Sequence, residues 1–303
     1  MLRIPKENNI IVMSRENAPA ARAKSGDTVI FETADAFGGQ ITSEADVFSS
    51  IGWDRVNPAT GPLYIEGAEP GDCLKVDILD IKAGGKAAMV MSPGFGILEA
   101  SAEKSFVFDI KEGKVFFDGS ITIDIEPMIG VIGTAPAGGG VATGTPGPHG
   151  GNMDCKQIIK GAALYLPVNV PGALLSMGDL HAVMGDGEVA VCGAEMAGEV
   201  TVRVTVLKGV KAPLPVLISK NRVMTVASAP TLDEAAKTAA VNMRELLIGA
   251  GMDGEKANLL MSLVGDLRIC QVVDPLMTAR MEFNLDILKA YGVCVFRNGS
   301  DTR

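Results

Sequence analysis

The strongest constraint on the fold is a series of short β-branched runs with no helical pattern between them. Residues 28–32, 73–79, 115–117, 121–125 and 199–206 are rich in Val, Ile, Thr and Phe, and each is bounded by Gly, Pro or Asp. Alternating apolar residues put i and i+2 on one face, so each run can line a core on one side. The 36 glycines and 16 prolines punctuate the runs as turns. Strands this short and this frequent predict a mainly β fold, a β-sandwich or jelly-roll-like core. Gly-Asp precedes an apolar run three times, at Gly26-Asp27, Gly71-Asp72 and Gly178-Asp179. Glycine makes the tight turn and Asp caps local backbone, so each pair is expected to open a strand.

The pattern changes after residue 230. Leu232, Ala235, Ala236, Ala239, Ala240, Met243, Leu246 and Leu247 repeat at helical period. Ser228 or Thr231 is the expected N-cap, and Gly249 and Gly251 end the helix. A second helix is predicted over 255–264 and a strand over 268–273, whereas 281–290 fits either. The expected class is therefore mainly β with α/β additions. Residues 1–210 form a body that carries the site, and 211–303 form an α+β portion packed on it. No linker separates them, so independent folding of the second part is not expected.

Composition excludes some partners. Lys and Arg number 27 against 36 Asp and Glu, giving a net charge of −9 with no basic cluster. That repels nucleic acid and tolerates a neutral small molecule. The first 14 residues lack the apolar stretch of a signal peptide, and no apolar run approaches the ~20 residues that span a bilayer. Five cysteines in no CxxC spacing (Cys73, Cys155, Cys192, Cys270, Cys294) read as reduced thiols. A cytoplasmic protein that avoids membranes is the expectation.

Only two histidines occur, 32 positions apart, and both sit beside carboxylates and glycine turns. His149 ends a loop over 138–151 and is followed by Gly150, Gly151, Asn152 and Asp154. The loop lacks apolar periodicity, which points to function or disorder. His181 follows Asp179 by two residues, so on a strand both side chains face one way. A carboxylate–imidazole pair of this kind suits a divalent cation, or a base with its orienting partner. Glu188 and Glu195 follow, the latter an isolated acid among small residues. Asp35, near Glu32, ends an apolar run and opens a glycine-rich loop, a common place for site residues. Cys155, beside Lys156, is the alternative nucleophile, although nothing near it in the sequence specifically lowers its pKa. GxSxG, Walker A and HExxH patterns do not occur.

Several stretches, in fixed order, resemble the acetamidase/formamidase family. They are Phe31-Glu32-Thr33, Asn57-Pro58-Ala59-Thr60-Gly61-Pro62 and Pro127-Met128-Ile129-Gly130, then Gly147-Pro148-His149-Gly150-Gly151-Asn152-Met153-Asp154. Gly178-Asp179-Leu180-His181-Ala182 through Glu188 and Gln271-Val272-Val273-Asp274-Pro275 complete the set. The resemblance implies hydrolysis of short aliphatic amides, formamide- or acetamide-like, to a carboxylate and ammonia. It also implies a β-sandwich core and a homodimer or higher homo-oligomer. Met184 stands where the family pattern leads one to expect Gln, which would alter specificity if that position touches substrate.

The residues suggest a divalent metal, zinc first, held by some of Asp35, His149, Asp154, Asp179, His181 and Glu195. Glu195 is the nominated base, with His149 and His181 as further catalytic candidates. The Gly150 and Gly151 amides, with Asn152, are candidates to hold substrate and steady an oxyanion. A metal-free thiol amidase using Cys155 and a non-catalytic small-molecule-binding protein are the rival readings.

Overall fold

Phe31 shows how the alternation builds the core. In the strand Thr28–Thr33 every second residue is buried, and Phe31 is fully so. The computed structural model, which describes residues 1–293 and 295, makes this strand part of a nine-stranded sheet. Gly198–Leu207 lies between Thr28–Thr33 and Cys73–Ala83, antiparallel to both. A second, eleven-stranded sheet contains Ala59–Glu66, Met128–Gly133 and Leu175–His181. Val29, Phe31 and Val202 of the first sheet share one apolar core with Ile129, Leu175 and Leu180 of the second. The protein is thus mainly β, with two sheets face to face, as the runs predict.

The nine-stranded sheet continues through Val216–Ser219, Arg222–Ala229, Met277–Asn284 and Asp266–Gln271. Strands from either side of residue 210 therefore share one sheet. Helix α1, Leu232–Gly249, places Ala239, Met243 and Leu247 in a second apolar cluster with Val223 and Phe283. Helix α2 spans Gly254–Val264. The undecided 281–290 segment is the end of the Met277–Asn284 strand followed by a short helix, Leu285–Ala290. Of the two N-cap candidates Thr231 fills the position, accepting from the Glu234 amide. Among the described residues no helix is long and apolar enough to cross a membrane. Cys294 lies outside the described residues.

One strand departs from expectation in a way that creates the site. Gly178-Asp179 does not open a strand; it lies inside Leu175–His181, all of which is buried. Asp179 has φ +57°. Met177 and Leu180, three apart, both join the inter-sheet core, as do Ile129 and Ile132 on the neighbouring strand. Strict alternation would separate such pairs, so the phase slips at the level of Gly130 and Asp179. The outer face is roofed over the strands that carry the site, which is why Met128–Gly133 and Leu175–His181 are buried on both sides. Phe37, Ile41 and Phe48 pack with Ala88 and Val90, and Met13 packs with Ala59 and Val131.

Thr231 closes the start of α1 twice, since its hydroxyl also donates to the Glu234 carboxylate at 2.9 Å. Thr231→Ala is expected to lower stability by about 1 kcal/mol. Urea unfolding checks this: the midpoint falls while the slope stays constant, and an unmoved midpoint contradicts it.

Candidate active site

His181 and Glu195 are direct cross-strand partners, His181 on Leu175–His181 and Glu195 on Glu195–Met196. That register brings His181 Nε2 to 3.0 Å from Glu195 Oε1. Three more carboxylates surround the same nitrogen: Asp179 at 3.7 Å, Asp154 at 3.8 Å and Glu188 at 3.8 Å. All five residues are buried. Two groupings share the imidazole, Asp154–His181–Glu188 and Asp179–His181–Glu195, each with its donor atoms within 4.8 Å of one another.

Local structure explains the convergence. Asp154 follows Gly150–Asn152, which pairs with Met128–Gly133. Gly130 of that strand leaves the space that the carboxylates of Asp154 and Asp179 occupy, and Gly193 does the same for the His181 ring. A Cβ on Gly193 would stand 2.7 Å from the imidazole. Asp154, Asp179 and Glu188 all adopt left-handed backbone, at φ 41°, 57° and 47°. Such conformations cost about 1–2 kcal/mol each for residues other than glycine. Glu188 is held from the far end of the chain. Gly187 donates to the Cys270 carbonyl and accepts from Val272, while fully buried Arg280 clasps Asp186 at 2.7 and 2.9 Å. The Gly193 amide then donates to Glu188 Oε1 at 2.9 Å.

The electrostatics are severe. Burial raises the Asp154, Glu188 and Glu195 carboxyls well above the ordinary range, and each is pushed further by a neighbouring carboxylate. For His181, burial favours the neutral ring, but Glu195 and Asp179 outweigh it and raise its pKa well above the usual value. Even so, Asp154 Oδ1, Asp179 Oδ1, Glu188 Oε2, Glu195 Oε2 and both His181 nitrogens lack a hydrogen-bond partner. One imidazolium cannot balance four carboxylates, and orphaned buried polar atoms are costly. The donor set fits a divalent cation, and it is richer in oxygen than a two-histidine site would be.

A cavity of about 730 Å³ opens over the cluster, lined by Asp154, Asp179, Glu188 and Glu195 together with Asn152 and Asp274. Asn152 donates to Asp274 Oδ2 at 3.0 Å, and its own Oδ1 is unpartnered. Asp274 is placed by Gln271, whose Oε1 accepts from the Val273 and Asp274 amides at 2.8 and 3.0 Å.

Comparison with known proteins sets this geometry in context. The family model described as Acetamidase/Formamidase matches residues 15–139 and 134–289. The chain belongs to that family. A Bacillus halodurans acetamidase of known crystal structure is 49% identical, with TM-score 0.95, covering 96% of this chain and 100% of that one. An acetamidase from Yersinia enterocolitica is 30% identical at TM-score 0.91, over 95% and 92% of the two chains. The formamidase of Methylophilus methylotrophus is 30% identical over 63% of this chain and 62% of its own length. The chain thus spans less than two thirds of the length of the curated relatives it matches.

The family-like stretches around 147–154 and 178–188 deliver four of the five clustered residues. Other residues singled out in the sequence are not gathered there. Asp35 Oδ1 accepts from the Phe37 and Gly39 amides at 2.9 and 3.0 Å, capping its own loop. His149 folds back over Gly151 in a closed turn, where Gly147 and Gly150 exchange hydrogen bonds of 2.8 and 3.0 Å. The Gly150 amide is therefore engaged, and neither Gly150 nor Gly151 lines the cavity. Met184 lines a separate apolar pocket.

Cys155 is fully buried and does not line the cavity. The sequence suggested that nothing lowers its pKa; the structure corrects this, since Cys270 and Arg280 do, against the effect of burial. Cys192 lines the cavity, but burial and then Glu195 push its thiol well up, leaving it protonated. Glu188 and Asp274 are the residues that sequence reasoning underweighted. Asp274 had one signal, its place in the 271–275 family stretch.

Two outcomes follow. A Cβ on Gly130 would stand 2.5 Å from Asp154 Oδ1 and closer still to Asp179. Gly130→Ala is expected to lose about 1–3 kcal/mol, read as a drop in Tm, and an unchanged Tm contradicts the packing. Burial lowers the His149 pKa to about 4. Between the unfolded value, about 6.5, and 4, the unfolded chain binds a proton that the folded chain refuses. The native state therefore loses stability as pH falls through this window, by up to about 3 kcal/mol. His149→Gln should gain on the unmodified protein in stability between pH 7 and 4, and parallel curves would refute this.

Proposed function

We propose that the protein hydrolyses small neutral primary amides to a carboxylate and ammonia at the His181 cluster. The observation that carries this is the set of unpartnered buried carboxylate oxygens around one imidazole, open to a cavity, in a chain of this family. His181 with Asp154, Asp179 and Glu188 would hold a divalent cation, zinc first and manganese second. When bound, such an ion polarises an amide carbonyl and acidifies water.

The protein's own groups account for the rest. Glu195, the carboxylate nearest His181, accepts a proton from the attacking water and delivers it to the departing nitrogen. Burial and the neighbouring carboxylates raise the Glu195 pKa, which strengthens it as a base. Asn152 offers its unpartnered Oδ1 to the substrate NH₂, orienting the leaving nitrogen, while Asp274 fixes the other end of the Asn152 amide. The enclosed floor excludes bulk water from these transfers. Cys155 is no rival at this cavity, because it does not line it.

Ammonia release from formamide and acetamide, measured beside metal analysis, tests the reading. Chelation should abolish turnover and zinc should restore it. Glu195→Gln should lower kcat by about 10²–10⁴-fold while retaining metal, and His181→Ala should lose both metal and turnover. Turnover indifferent to chelation removes the metal, and no ammonia from any amide removes the hydrolase.

A further inference from the structure

The cavity is much larger than its chemistry needs. Formamide has no carbon beyond its carbonyl, yet the space above the carboxylates is about 730 Å³, within the range of sites that hold drug-sized ligands. Its lining is polar where the carboxylates lie and aromatic at Phe48, Trp53 and Phe95. Phe48 meets Trp53 edge-on at 5.0 Å and Phe95 edge-on at 5.1 Å, while Trp53 and Phe95 stack at 6.2 Å. Phe48 is buried, but Trp53 is 58% exposed and Phe95 42% exposed. Large rings held together with open faces leave apolar area for a ligand to cover.

The wall is tied down. Gly52, beside Trp53, donates to Gln40 Oε1 at 2.8 Å, and Gln40 returns a bond to the Gly52 carbonyl. Phe95 sits between Gly94 and Gly96, both left-handed. Gly96 packs on the backbone of Val189 and Ala190, and Ile97 donates to the Val189 carbonyl at 3.0 Å. The turn that carries Phe95 is thus attached to the segment that carries Glu188, so floor and wall keep a fixed distance. Among the described residues no Lys, Arg or His lines the cavity. An acyl chain ending in a carboxylate would find no partner there, and the net charge of −9 would oppose it.

We infer that the substrates are primary amides with a bulky, uncharged apolar acyl group, whose amide end reaches the carboxylates and whose acyl end lies against Trp53 and Phe95. The inference rests on the amidase reading and refines its substrate class. Trp53 and Phe95 act as specificity-determining residues.

The test is kcat/KM by ammonia release for formamide, acetamide, butyramide and phenylacetamide with the metal-loaded protein. Efficiency should rise along the series, with phenylacetamide at least about tenfold above acetamide, the scale on which a hydrophobic pocket discriminates single methylenes. Trp53→Ala and Phe95→Ala should each cut the phenylacetamide-to-acetamide ratio about tenfold, mainly through KM, and Trp53→Phe should restore most of it. Cleavage of formamide and acetamide with efficiency falling as the acyl group grows overturns the inference and leaves the amidase reading intact. An unchanged ratio in both alanine variants also overturns it. No ammonia from any amide overturns both together.

Discussion

Four carboxylates packed around one imidazole nitrogen, almost wholly buried at the floor of a cavity, set the terms for the surrounding structure. Carboxylates repel one another and lose hydration on burial, so a fold does not gather them without compensation. The compensation is visible in several places. Two glycines remove the side chains that would compete for the space. Three acids take left-handed backbone conformations that turn their side chains inward. A sheet whose outer face would ordinarily meet water is roofed by a loop. Each of these is unfavourable or unusual locally, and together they describe a pocket whose donor atoms could hold a cation. Three of the ten left-handed residues other than glycine among the described residues are carboxylates of this one cluster.

Much of the architecture was legible in the sequence because the apolar runs obey simple periodicities. The 28–32 and 199–206 runs became strands in register with each other, and the Leu232-to-Leu247 pattern became a helix with its predicted cap. The family-like stretches supplied Asp154, Asp179, His181 and Glu188. What escaped was set by backbone irregularity and by contacts distant in the chain. Gly178-Asp179 looks like the strand openings at Gly26-Asp27 and Gly71-Asp72, yet it lies within a strand, and no local rule separates the cases. His149 has the same credentials in sequence as His181, but a closed glycine turn directs it elsewhere. Glu188 and Asp274 were not nominated as site residues, because their place depends on Gly187 being bridged to Gln271, 84 residues later by numbering.

The same bridge has a consequence for biosynthesis. Asp154, Asp179, His181, Glu188 and Glu195 leave the ribosome before the strands Asp266–Gln271 and Met277–Asn284, which hold the 185–188 loop through Gln271 and Arg280. Without those strands the 185–188 loop loses its bonds to Cys270, Val272 and Arg280, although Glu188 retains the Gly193 amide. The charged pocket is therefore completed by strands that follow all five of its residues in the chain.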